Sequence, residues 1–547
     1  MFVVKILLPF LKQSLRLLRQ NTVFAVLFWM NGAAFVFSQD TGPQVAEPPA
    51  GMYITEYRIL GAKRLDKRSV EKAVYPFLGP ERQPEDVDAA RAALEKAYRD
   101  AGYSTVSVTI PQQRVRKGVV LLQVNETLVG RLRVHGSRYH DIDRLKQRAP
   151  SMAEGALLNF KAVNQDIAAL NRQSGLRVTP VLRAGVIPGT VDIDLNVQDE
   201  LPLKGSLEIN NRHSANTTPW RFSGSLSYSN LWQAGHSLGA SFQVAPERTD
   251  DGLVYTAFYQ APLDDVWSLT LQGTKQDSFI STLGGAAVVG RGRTLGLRLT
   301  SILPKHEGLV HSLSFGLDHK DTEQLVLIIG DDGKPEISGS YLSYNPLSFD
   351  YSATWLEPRH SSDLNLSVVL QIPGLGTDTG QFNIRRFRAV DSFFYLRGDV
   401  SHTHDLPGGF EAFVKLQGQA SSGPLVSNEQ LSGGGLSTVR GYLEPTALGD
   451  SGAFATFELR SPSLLRSGDE GRSEWRFHAF ADAGTLVLDS TLPEQESEFN
   501  LASVGVGTRF RVLDHFSGSV DAGLPLIQQG LTRVGELLIS VRFMAEF

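Results

Sequence analysis

The sequence predicts an α+β front part made of two similar β-α-α-β-β units, followed by an antiparallel transmembrane β-barrel of 16 strands. Three observations carry that prediction. A strand-helix-helix-strand-strand order occurs twice between residues 51 and 199. After Leu201 helical periodicity is never sustained, and apolar residues alternate with polar ones at period two. Outside the first 40 residues no stretch approaches the ~20 consecutive apolar residues of a membrane-crossing helix. Barrel strands escape that requirement, because only one of their two faces meets lipid. The 547 residues are 41% hydrophobic and 20% charged, with no Cys. The missing thiols exclude a disulfide scaffold, thiolate metal sites and a cysteine nucleophile. Charge is unevenly divided: residues 51–199 hold 23 Lys/Arg against 17 Asp/Glu (net +6), and residues 201–547 hold 26 against 38 (net −12). The two stretches are therefore different kinds of domain. Neither shows a basic stripe with interleaved aromatics, so nucleic acid is not an expected partner.

Taken in order, residues 1–21 carry Lys5, Lys12, Arg16 and Arg19 with no acid, and residues 22–37 carry no charge. This is a basic region followed by an apolar run of signal-peptide length. Val36 and Ser38 suit positions −3 and −1, which places cleavage after Ser38 and makes residues 1–38 a signal peptide. Residues 39–50 (QDTGPQVAEPPA) are too rich in Pro and small polar residues to order themselves and read as a linker.

The first unit, residues 51–125, opens on the alternating MYITEYRILG, continues through SVEKAVYPFL and EDVDAARAALEKAYRDAG as helices, and ends on the strands YSTVSVTIPQQ and GVVLLQVNE. Its second helix aligns Val87, Ala90, Leu94, Ala97 and Tyr98 on one face, with Gly102 as its stop. The second unit, residues 126–199, repeats the order with LVGRLRVHG, DIDRLKQRAP, NFKAVNQDIAALNRQSG, LRVTPVLRAG and TVDIDLNVQDE. Each unit resembles a POTRA domain, a periplasmic module that handles unfolded polypeptide. The likeness includes the strand-plus-glycine openings RILG and RVHG, each followed by a first helix.

In residues 201–547 the alternation is carried by Leu226 and Tyr228, by Leu238, Ala240, Phe242 and Val244, by Leu295, Leu297 and Leu299, by Leu313, Phe315 and Leu317, and by Val504 to Val512. A soluble sandwich would alternate too. Length favours the barrel: 347 residues over 16 strands leave about 22 for each strand and its connection, enough for a crossing of roughly 10 residues. GDDGKPEISG and LPEQESE read as exposed loops. The terminus ELLISVRFMAEF sets Leu537, Ile539, Val541, Phe543, Ala545 and Phe547 on one face, and Glu536, Ser540, Arg542 and Glu546 on the other. A last strand ending in Phe547 resembles the recognition signal of bacterial outer-membrane barrels, which implies the barrel-assembly machinery as a partner.

Residues 422–452 (SGPLVSNEQLSGGGLSTVRGYLEPTALGDSG) are long, Gly-rich and hold Val439-Arg440-Gly441-Tyr442. About 40 residues downstream stands Phe480-Ala481-Asp482-Ala483-Gly484. Together these resemble the VRGY loop and the F-x-D-x-G wall motif of two-partner secretion (TpsB) transporters of the ShlB/FhaC/HecB type, which join POTRA domains to a 16-stranded barrel. The resemblance covers nearly all of the chain after Ser38, and its sharp motifs cover barely a dozen residues. It implies an outer-membrane translocator that passes an unfolded partner polypeptide from periplasm to surface, with Arg440 held by Asp482, Phe480 and Gly484 in the wall, and the loop gating the pore. It further implies contact with outer-membrane lipids, a monomer, and neither cofactor nor metal. Some members carry a plug helix ahead of the first POTRA unit. Only 12 residues separate Ser38 from Gly51, so such a helix is not expected, and residues 422–452 become the candidate for closing the pore.

Other readings stay open at the level of sequence: a barrel-assembly insertase of the same superfamily, a passive porin, and a lipase-like hydrolase. The last rests on Gly235-His236-Ser237-Leu238-Gly239, which fits a G-x-S-x-G elbow. That elbow needs a following helix, whereas LGASFQVAPE alternates as a strand, so Ser237 reads as part of a turn and a strand. His402 and His404 sit two apart beside a turn and do not form a metal-binding spacing. No Walker-type motif occurs.

Overall fold

The computed structural model describes residues 51–173, 175–277, 280–281, 288–289, 291–304, 306–329, 335–465, 473–493 and 495–547. The expected signal peptide and linker, and the question of a plug helix, lie outside the described residues.

In the first unit Asp66 caps the helix Lys67–Val74 by accepting the Ser69 N–H at 3.0 Å. Gln83 and Asp86 form a capping box for the helix Pro84–Asp100, whose Val87, Ala90, Leu94 and Tyr98 are buried. Gly102, at φ +99°, stops it. These residues pack on a sheet in which Val119–Asn125 runs parallel to Glu56–Leu60 and antiparallel to Ser107–Thr109. The stretch after Val74 departs from the single helix expected there. Pro76 ends it early, and MYITEYRILG, expected as one strand, is split: Met52–Ile54 pairs with Gly79–Arg82 as a separate ribbon while Glu56–Leu60 joins the main sheet.

The second unit has the same sheet order, with Thr190–Asp199 between Leu128–His135 (parallel) and Leu176–Ala184 (antiparallel). Its helices Ile142–Gln147 and Phe160–Leu170 are capped by Asp141 and Asn159. Each unit has an apolar core, and Leu157 of the second unit packs into that of the first. The units meet end to end, where Asn159 Nδ2 and the Phe160 N–H donate to the carbonyls of Ala101 and Gly102. The second unit also touches the barrel: Gln233 accepts the Asp141 N–H at 3.0 Å, and Arg172 Nη1 donates to the Asp265 carbonyl. The two units therefore lead to one end of the barrel, its entrance.

The barrel strands are β1 (Leu203–Asn210), β2 (Arg221–Leu231), β3 (His236–Val244), β4 (Leu253–Pro262), β5 (Trp267–Asp277), β6 (Arg291–Ile302), β7 (Leu309–Ile329), β8 (Pro335–Tyr344 and Leu347–Glu357), β9 (His360–Gln371), β10 (Phe393–Asp405), β11 (Glu411–Ser421), β12 (Ser451–Arg460), β13 (Glu474–Val487), β14 (Glu498–Val512), β15 (Phe516–Pro525) and β16 (Leu538–Glu546). Both segments of β8 pair with β7, one above the other, so 16 strands close the ring. Residues 335–339 belong to β8 and not to a loop as GDDGKPEISG suggested. The LVLII run that ends β7 favours extended backbone and carries the hairpin onward.

The alternation has the expected sense. Leu238, Leu295, Leu317 and Val506 point outward and are exposed to what would be lipid, whereas Arg298 and Asp318 pair inside at 2.7 Å and 2.8 Å. On β16, Ile539 and Phe543 face out and Arg542 faces in, bonding Glu208 of β1 at 2.8 Å.

Phe547 lies at the closure. Its N–H and C=O exchange hydrogen bonds with Gly205, both at 3.0 Å, and its ring covers the Gly205 Cα so closely that a Cβ there would collide with it. We predict that Gly205→Val displaces this ring and destabilises the barrel by about 1 kcal/mol, the low end of the cost of overpacking, because the Phe547 ring is exposed and can turn away. A lowered melting temperature and less heat-modifiable barrel on unheated gels are expected; unchanged values for both would refute the role of the slot.

Candidate functional site

β1 starts at the entrance end, so odd strands run away from it and the β11–β12 connection, residues 422–450, emerges at the far end. This connection turns back into the lumen. Leu431–Gly433 and Ala447–Gly449 pair as a short hairpin, and Val439, Tyr442 and Ala447 pack with Phe454, Leu486 and Leu501 of the wall. Burying apolar side chains inside an otherwise polar lumen fixes the loop's seat.

At its tip Arg440, 5% exposed, donates from Nε and Nη2 to the two carboxylate oxygens of Asp482 at 2.7 Å and 2.8 Å. Its backbone N–H adds a third bond to Asp482 at 3.1 Å. The geometry is the planar fork that only a guanidinium can offer a carboxylate. The guanidinium carbon stands 3.6 Å from the centre of the Phe480 ring, a cation–π contact. Gly441, at φ +89°, lies flat on the backbone of Gly523, and a side chain at either position would separate them. The Tyr442 hydroxyl donates to the Ile527 carbonyl at 2.7 Å and accepts the N–H groups of Ala502 and Ile527 at 3.3 Å. Gly484 leaves room for the Phe454 ring. The structure thus gathers Val439, Arg440, Gly441, Tyr442, Phe480, Asp482 and Gly484 in one place, and leaves Phe547 apart at the seam.

Several charged residues of the site escaped the sequence reading. Glu458 of β12 accepts from Arg440 Nη1 at 2.6 Å, from Arg509 at 2.8 Å and from Arg460 at 3.0 Å. Asp521 of β15 lies 3.6 Å from Arg440 and bonds His478 at 2.7 Å. Strand parity alone would have turned Glu458 inward, since it is two residues from lumen-facing Thr456. Higher up, Glu444 meets Arg212 at 2.9 Å.

Near the far end two buried carboxylates hold the loop's roots. Glu429 accepts from Lys320 Nζ at 2.6 Å, Tyr344 OH at 2.5 Å and Tyr395 OH at 2.8 Å. Burial opposes its ionisation, but the Lys320 ammonium and these hydrogen bonds outweigh that and keep its carboxyl below the usual carboxylate range. Asp450 accepts from Arg386 at 2.9 Å and from the N–H groups of Leu425 and Asp489. Arg386 follows the helix Thr379–Arg385 of the β9–β10 connection, whose Phe382 packs with Tyr344 and Phe393. A second connection therefore joins residues 422–450 in filling the far half of the lumen.

Below the tip, toward the entrance, remains a polar cavity of about 1320 Å³ lined by Ser225, Gln243, Lys415, Arg440, Glu458 and Arg509, among others. No group of His, Asp and Glu disposed for a metal occurs among the described residues. Ser237 lies in β3, paired with Gln260, with a strand and not a helix after it. His402 and His404 face outward on β10.

Comparison with known proteins gives a consistent picture. The family described as haemolysin secretion/activation protein ShlB/FhaC/HecB matches residues 189–510, and the POTRA domain of ShlB type matches residues 52–127. The outer membrane transporter CdiB of Escherichia coli O6:K15:H31 (strain 536 / UPEC) is 25% identical over 509 residues, covering 89% of this chain and 81% of that protein. The heme/hemopexin transporter protein HuxB of Haemophilus influenzae is 22% identical over 473 residues, covering 82% and 79%. In structure, CdiB from Escherichia coli superposes with a TM-score of 0.60 at 21% identity, covering 93% of both chains.

Proposed function

Because the chain belongs to the ShlB/FhaC/HecB haemolysin secretion/activation family, and so is an outer-membrane transporter that acts with a secreted partner protein, we propose how its parts divide that work. The units 51–125 and 126–199 both act as POTRA domains in the periplasm and capture the unfolded partner, a haemolysin- or adhesin-like exoprotein. The edge strands Ser107–Thr109 and Leu176–Ala184 offer unpaired backbone to an extended segment. The net charge of +6 over residues 51–199 favours an acidic segment. The captured chain enters the cavity below Arg440, and each step of its passage requires residues 422–450 to swing aside and to reseat through Arg440, so a tip that cannot reseat stops export.

The observation that carries this reading is the loop tip itself: a buried guanidinium, bidentate to Asp482 and shared with Glu458, in the middle of the only route through a closed barrel among the described residues. A passive porin has no use for such a buried pair or for two α+β units at its mouth. Ser237 has no catalytic part in this scheme, no cofactor is needed, and Phe547 serves insertion of the monomer by the barrel-assembly machinery.

Deleting residues 51–199 tests the division of labour. Export of the partner is expected to stop while the remaining barrel still inserts and conducts. Export at the full-length level would overturn the capture role.

A further inference from the structure

The outer wall of the entrance end carries a feature that the loop machinery does not use. Of the 12 histidines in the chain, His236, His306, His311, His360, His402 and His404 all stand at or beside the entrance-end hairpins β2–β3, β6–β7, β8–β9 and β10–β11. His360, His402 and His404 form one cluster. In the register of β9 and β10, His404 is opposite His360 and His402 is opposite Ser362. β10 continues with the same parity into Val400, Leu396 and Phe394, exposed at 40%, 43% and 47%, and β9 into Leu366, also exposed. The three rings therefore face outward, between an apolar band and the last turn.

Ring centres are 5.8 Å (360–402), 6.0 Å (360–404) and 6.0 Å (402–404) apart, with planes within 43°, 28° and 23° of each other. Near-parallel rings present their nitrogen edges side by side and do not converge on one point, as ligands of a metal would. His402 Nδ1 meets Ser362 Oγ at 2.8 Å, and His360 Nε2 lies 3.2 Å from Glu357 Oε2. Glu357 is the one carboxylate in contact with the cluster among the described residues; Ala412 and Val414 flank it from β11, and exposed Arg359 occupies the β8–β9 turn. Farther round the wall, Trp232 and Tyr259 surround His236, and Tyr351 contacts His311. Amphipathic rings at this level mark the boundary between hydrocarbon and headgroups.

We propose that His360, His402 and His404 bind the phosphate group of an anionic phospholipid in the periplasm-facing leaflet. Imidazole N–H groups donate to phosphate oxygens, and three such rings side by side offer several donors to one phosphate. The lipid's chains lie along Val400, Leu396 and Phe394. In a barrel of net negative charge, a cluster of hydrogen-bond donors with exposed Arg359 beside it is the natural place for an anionic headgroup.

The test uses full-length protein in detergent, with phosphatidylglycerol or phosphatidylcholine added and bound lipid counted by native mass spectrometry. At about pH 6 the wild type is expected to retain about threefold more phosphatidylglycerol than His360→Asn/His402→Asn/His404→Asn, the scale of an exposed charge interaction. Phosphatidylcholine should not distinguish the proteins. His404→Asn alone, whose ring has stacking neighbours only, guards against misfolding of the triple variant and should show a smaller loss in the same direction. Equal phosphatidylglycerol retention at pH 6, or its complete displacement by inorganic phosphate alone, would overturn the proposal.

Discussion

Replacing Arg440 with Ala is expected to abolish export of the partner polypeptide while the barrel still inserts and remains heat-modifiable. The substitution removes both side-chain bonds to Asp482, the bond to Glu458, the ion pair with Asp521 and the Phe480 ring contact, and leaves the Asp482 carboxylate buried without the Arg440 guanidinium. Breaking a buried pair from one side costs about 3–5 kcal/mol. Applied to the seated loop, that shifts its occupancy by more than about 100-fold. Glu458 keeps Arg460 and Arg509, so the damage concentrates at Asp482. Arg440→Lys keeps the charge but not the fork, and is expected to export at an intermediate level. Secretion assayed against the amount of inserted barrel decides the matter; normal export by the Ala variant would sink the clamp.

Glu429→Ala is expected to raise conductance through the purified barrel by releasing the loop's root. It would leave the Lys320 ammonium without its carboxylate partner and two tyrosine hydroxyls without an acceptor, at a cost again of about 3–5 kcal/mol. A carboxyl held below its ordinary range in the folded state contributes stability above the unfolded value and loses it as pH falls through the folded one. In the wild type this root should therefore hold at neutral pH and loosen only at a pH below the ordinary carboxylate range, whereas the variant should be open at both. Planar-bilayer recordings that show the same closed behaviour for both proteins at neutral pH would disprove the latch.

Much of the architecture was legible because it follows from period and punctuation. The two α+β units announce themselves by a strand-helix-helix-strand-strand order that occurs twice, by the apolar face Val87, Ala90, Leu94 and Tyr98 and by the glycine stop at Gly102. The barrel announces itself by a two-residue alternation that survives wherever one face meets lipid. Arg440 and Asp482 could be paired in advance by a resemblance of motifs, not by spacing, since about 40 residues and a whole hairpin separate them. Glu458, Glu429 and Asp450 were not legible. Each is a single acid in an unremarkable context, and its importance comes from the residues that other strands bring to it: Arg509 from β14, Lys320 from β7, and Arg386 from beyond β9. Alternation says which way such an acid points; only the closed ring says what it meets.

The attachment of the 422–450 segment gives the passage a direction. Its two ends leave β11 and β12 at the surface end, and its tip hangs inward against β13. A chain advancing from the entrance pushes on the tip toward its own tethers, the way it is free to swing. A chain arriving from outside meets the roots first, locked by Glu429 and Asp450, and presses the tip harder into its seat. In the proposed mechanism the arrangement would act as a check valve, in which a flap hinged at the exit passes traffic one way and is closed by back-pressure.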